Sequence, residues 1–171
     1  MIEITLNEIE IRLAKCVGKK RHELARKKGR PNLRVGGQSD YETDLNGAAG
    51  EIAFCKAMNV YPNLMVGEID EYDADIPEGT VDVKTTKYRN GRLLAVRSKK
   101  MRQADLYALL TGKIPHFRFI GMAKGSELFK DENIKDLGRG PGYVLDQSEL
   151  TTYQRENNES DLSEMQLNAF T

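Results

Sequence analysis

The chain has 171 residues, 30% charged and 39% hydrophobic, with 26 basic and 26 acidic side chains. That length buries a core for one domain and leaves no room for a second full one. No apolar run is long enough to cross a bilayer, and the opening Met-Ile-Glu-Ile-Thr lacks the basic and apolar blocks of an export signal, so a cytoplasmic protein with no membrane partner is expected.

Zero net charge conceals an uneven distribution. Residues 12–34 hold ten Lys and Arg against Glu23, residues 84–102 hold eight with no acid, and the tail from Asp131 carries nine acids against three bases. Such asymmetry reads as a polyanion-binding side and a solvating tail. In chain order, Thr5-Leu-Asn-Glu8 is a capping box that predicts a helix as first element, with Leu6, Ile9, Leu13, Val17 and Leu24 as its buried side. Beside them Arg12, Lys15, Lys19, His22 and Arg26 form a basic rim, which by itself reads first as a solvated face and second as a phosphate-contacting one. Residues 29–42 are a Gly-rich basic loop with no Walker-type lysine after its glycines, which disfavours a phosphate-loop NTPase. Cys16 and Cys55 read as small buried hydrophobes, and His22 and His116 as structural or surface residues too isolated to form a metal cluster.

A second helix is expected from Thr43 or Asp44 to about Asn59, its Gly47-Ala-Ala-Gly50 allowing close approach to a sheet and placing Glu51 at the edge of the packed side. Next, Asp73 to Ile76 and Val81 to Thr86 read as a hairpin around Pro77-Glu78-Gly79. A tip at Pro77 and Glu78 sets Asp73 opposite Asp82 with Cβ atoms about 4.5–5.5 Å apart, and Asp75 has the same strand parity. Two acids so placed repel unless a cation relieves them, and oxygen-only ligands suit Mg²⁺ or Mn²⁺. Lys84 lies two residues on, on the face of Asp82. The Asn90-Gly91 turn predicts a third meander strand, Leu93 to Arg97, with Arg97 opposite Lys84. Residues 98–111 leave two readings open, since Ser98 could cap a helix while Asp105 to Leu110 also reads as a buried strand; a strand is expected at 116–122, a helical turn at 126–129 and an edge strand at 143–145, and the last twenty residues read as a frayed helix or disorder.

Glu51 on a helix, Asp73, and Asp82-Val83-Lys84 resemble the active site of the PD-(D/E)XK nuclease superfamily over residues 44–124, with Tyr72 in the place of the namesake proline and Asp82 in that of the commoner Glu. The resemblance implies an α/β (α+β) fold with a restriction-endonuclease-like core, a mixed β-sheet of αβββαβ order flanked by helices. It implies one nuclease domain over 1–171: a basic helix and loop (1–42), a catalytic core (43–130) and an acidic extension (131–171). It further implies Mg²⁺- or Mn²⁺-dependent hydrolysis of DNA, as in small phage or prophage nucleases. The catalytic residues would be Glu51, Asp73, Asp82 and Lys84; the metal ligands Asp73, Asp82, Glu51 and the Val83 carbonyl; and the DNA contacts Lys15, Lys19, Arg26, Arg97, Lys99 and Lys100. It leaves a homodimer open.

Overall fold

The computed structural model describes residues 1–29, 39–66, 72–97, 104–138 and 140–153. Its first element is strand β1 (Ile2–Thr5), not a helix, because Thr5 is taken into an antiparallel ladder opposite His116. The capping box therefore falls two residues later: the Asn7 side chain accepts from Glu10 N–H, the Glu10 carboxylate accepts from Asn7 N–H, and helix α1 runs Glu8–Lys27. This moves the buried side as well. Ala14, Val17 and Gly18 are buried, whereas Ile9 is 76% exposed and Cys16 lies on the surface. Helix α2 (Asp40–Met58) starts earlier than the composition suggests, on a Ser39–Glu42 capping box, and ends at Asn59 in the left-handed conformation (φ 56°).

The remaining strands form two sheets, β2 (Ala74–Ile76), β3 (Gly79–Thr86), β5 (Leu106–Lys113) and β6 (His116–Lys124) joining β1 in the order β1-β6-β5-β3-β2. Pairing is antiparallel except for β3 with β5, which run parallel, so the fold is a mixed α+β arrangement. The second sheet, β4-β8-β7, comprises β4 (Leu93–Val96), β7 (Ile134–Asp136) and β8 (Pro141–Leu145). Two expectations change here. Strand β4 does not continue a meander: it leaves for the second sheet, and the neighbour of Lys84 is Leu109 of β5 rather than Arg97. Strand β8 is central in its sheet, not an edge. From α2 the described elements run α-β-β-β and then β5 and β6 before the short helix α3 (Gly125–Leu128); the helix expected between the third and fourth strands of the αβββαβ order falls at 98–103, outside the described residues.

Both faces of the five-stranded sheet are covered. Val81, Val83, Ala108 and Leu110 pack with Ala49, Ile52 and Ala53 of α2, while Tyr107 and Leu109 pack on the other side with Leu93, Leu128 and Tyr143. Helix α1 lies on α2, held where Gly18 meets Leu45; a Cβ at Gly18 would stand 2.8 Å from the Leu45 Cα. His22–Asp44 (2.8 Å) and Arg26–Asp40 (2.6 Å) fasten the same two helices, and the pairs run in opposite directions along them. Arg26, expected among the DNA contacts, is thus paired with an acid of α2. Lys15 and Lys19 are exposed.

Helix α2 approaches β3 most closely at Gly50, where a Cβ would fall 1.9 Å from Thr85 Oγ1 and 2.9 Å from Thr85 Cβ. Thr85 is short and branched, so it has no flexible end to move aside. Gly50→Ala is expected to destabilise the protein by about 1–3 kcal/mol through overpacking. Gly47→Ala, whose Cβ meets nothing within 4 Å, should stabilise it by about 0.5–1 kcal/mol through helix propensity. Denaturant midpoints of the two variants check this; equal shifts would contradict the close approach.

Candidate functional site

The β2–β3 register is the one a Pro77-Glu78 tip requires: Ala74 faces Val81, Asp75 faces Thr80 and Ile76 faces Gly79. Asp73 stands just outside this ladder and straddles the position of Asp82. Its N–H donates to the Val81 carbonyl at 2.8 Å, and its carboxylate Oδ2 accepts the Val83 N–H at 2.8 Å. Since β2 ends at Ala74, the outer edge of β3 from Asp82 onward has Asp73 where a strand would otherwise pair. The N–H and C=O of a strand residue point to the same side, so the Val83 carbonyl is directed to that edge too.

Charged side chains reach this edge from both faces of β3. From the α2 face comes Glu51, the residue after Gly50, with its side chain 13% exposed. From the opposite face come Asp82, buried and laterally paired with Tyr107, and Lys84, whose ammonium contacts the Asp82 carboxylate. Burial pushes the Glu51 carboxyl up to about 8, the Asp73 charge adding to the rise while Arg21 and Lys84 oppose it. Asp73 is also raised, first by burial and then by Asp82, against Lys84, the Val83 N–H and Arg21. One turn on from Glu51, burial and the two acids raise the Cys55 thiol to about 12, which removes it as a nucleophile. Burial and Asp82 keep the Tyr107 phenol protonated by raising it as well.

Glu51, Asp73, Asp82 and Lys84 thus gather at one edge, the last three as the hairpin register requires. Asp75 does not join them, being exposed two positions further along the hairpin, opposite Thr80. Arg97 is exposed at the end of β4, away from Lys84 in the pairing, and Lys99 and Lys100 lie outside the described residues. What the sequence reading assigned no role at the site is Arg21, which donates to both Glu51 oxygens at 2.6 and 2.5 Å. Complementary spacing accounts for only two of the three pairs, acids at 40 and 44 on α2 meeting bases at 26 and 22 on α1; Glu51 lies seven residues on while Arg21 lies one, so spacing did not point to Arg21. Among the described residues no three His, Cys, Asp or Glu side chains converge as a metal cage. Asp73 and Asp82 remain a close carboxylate pair with an adjacent backbone carbonyl. Mg²⁺ is commonly held by one or two carboxylates and several waters, so this pair fits such an ion without Glu51.

Compared with protein-family models, curated proteins and solved structures, the chain finds no match.

Glu51 sets the sign of a pH dependence. The unfolded chain loses this proton near the ordinary value of 4.5, whereas the folded chain keeps it to about 8, so stability contributed by the protonated form falls as pH rises through that window. Glu51→Gln is expected to be relatively more stable at pH 8 than at pH 5 when compared with wild type. Urea midpoints of both proteins at the two pH values check this; a difference that is constant or reversed contradicts it.

Proposed function

We propose that this protein hydrolyses phosphodiester bonds in DNA with a divalent metal, on a restriction-endonuclease-like core, at the edge of β3. The observation that carries the reading is the mixed-charge cluster of Asp73, Asp82, Lys84 and Glu51. Burying like charges together costs free energy that apolar residues would not, and raised carboxyl groups with specific charge partners mark functional sites. Asp82 is 4% exposed, so its contact with Lys84 is no solvated surface pair.

In this reading Asp73, Asp82 and the Val83 carbonyl hold Mg²⁺ or Mn²⁺, which when bound supplies Lewis acidity and a more acidic water. Asp73 is fixed for its part by the Val83 N–H, and Asp82 by Lys84. Lys84 has three donors on a compact ammonium; it orients the attacking water at the scissile phosphate and neutralises charge that develops there. Exposed Lys15 and Lys19 on α1 offer sequence-independent phosphate contacts. A second reading, a nucleic-acid-binding protein on the same scaffold without turnover, is favoured by one observation: Glu51 is tied to Arg21, and no three-carboxylate cage forms among the described residues.

Plasmid nicking with Mg²⁺ or Mn²⁺ and an EDTA control separates the two. Lys84→Ala is a poor probe, because stripping the partner from buried Asp82 costs about 3–5 kcal/mol. Lys84→Arg keeps a cation beside Asp82 and loses the compact donor. It is expected to retain the fold while nicking falls by roughly 10²-fold or more, the size of a positioned proton-transfer or water-orienting group. Metal-independent DNA binding with no nicking in wild type supports the second reading, and full nicking by Lys84→Arg removes Lys84 from the mechanism.

A further inference from the structure

Arg21 reaches the site from α1, three residues beyond the Gly18–Leu45 contact that sets how closely the two helices lie. One of its terminal nitrogens donates to both Glu51 oxygens, at 2.6 and 2.5 Å, with the side chains 26% and 13% exposed. Glu51 therefore spends both oxygens on a cation supplied by the fold, and among the described residues no third carboxylate completes a cage with Asp73 and Asp82. On the other face Lys84 contacts Asp82 through Oδ1.

We propose that Arg21 is the second cation of the site: it keeps Glu51 out of metal coordination, so the chain binds a single divalent ion at Asp73 and Asp82. This rests on the proposed function and specifies its metal content. Glu51 is then a positioning residue. It aims a planar guanidinium, whose forked donors match phosphate oxygens, into the place where a second ion would otherwise neutralise the substrate. Charge balance agrees. Among the described residues, the three carboxylates, if all ionised, stand against Arg21 and Lys84 with one negative charge in excess, which one divalent ion already overcompensates. A second ion would meet a surplus of positive charge.

The test is Mn²⁺ titration of the full chain without nucleic acid, by calorimetry and by electron paramagnetic resonance. One ion per wild-type chain is expected. Glu51→Gln, whose amide oxygen still accepts from Arg21, should keep that ion, with a loss of affinity no larger than the roughly 10- to 100-fold typical of an outer-shell partner. Asp73→Asn should lose it, and Arg21→Met, which releases Glu51, should gain a second ion. Two ions per wild-type chain, or no ion in folded Glu51→Gln, overturns the proposal. A folded wild type that takes up no Mn²⁺ removes the metal reading of the function itself, and this inference with it. Should Arg21→Met not fold, the wild-type and Glu51→Gln stoichiometries decide alone.

Discussion

Helix α2 rests on strand β3 at Gly50, with no room for a methyl group between the helix backbone and Thr85. That contact determines how far the next residue, Glu51, stands from the β3 edge, and through the Gly18–Leu45 contact it also fixes where α1 carries Arg21. The site is thus assembled by backbone approach rather than by the reach of long side chains. Apolar packing of Ala49, Ile52 and Ala53 against Val81 and Val83 supplies the driving force. The glycines define its depth.

The second constraint is the early end of β2. A longer strand would cover the β3 edge with backbone hydrogen bonds; instead Asp73 leaves the ladder, spends its carboxylate on the Val83 N–H and directs a negative charge at Asp82. Three acids and two bases then share a space that is mostly out of water. Such an arrangement is unfavourable to stability compared with apolar packing of the same volume. In the proposed function a divalent ion offsets that cost.

The parts legible in the sequence were those encoded locally. Pro77-Glu78-Gly79 specified the hairpin register, alternation of Val81 and Val83 with Asp82 and Lys84 gave the two faces of β3, and Gly47 to Gly50 signalled close packing of α2. Non-local pairing was hidden. Nothing near Thr5 announces that residues 116–119 will draw the N-terminus into a sheet, and a parallel neighbour such as β5 has no turn to betray it. Asn90-Gly91 does form a turn, with Gly91 N–H on the Tyr88 carbonyl, yet the chain beyond it pairs with β8. The basic rim of α1 was only partly legible for a different reason: charge pattern alone does not show which of its bases also meet acids on the next helix, as His22 and Arg26 do at Asp44 and Asp40.

The central claim is that Asp73 and Asp82 are held together for a cation, and thermal melting of wild type and Asp73→Asn, in EDTA and then in Mn²⁺, tests it most directly. The amide oxygen of Asn can still accept the Val83 N–H, while the repulsion with Asp82 disappears. The metal-free variant should therefore melt no lower than wild type. Mn²⁺ at a hundredfold excess over Kd should stabilise wild type by about 2.7 kcal/mol, and the variant should lose most of that gain. A metal-free variant clearly less stable than wild type, with an undiminished response to Mn²⁺, would make Asp73 a structural residue and contradict the account.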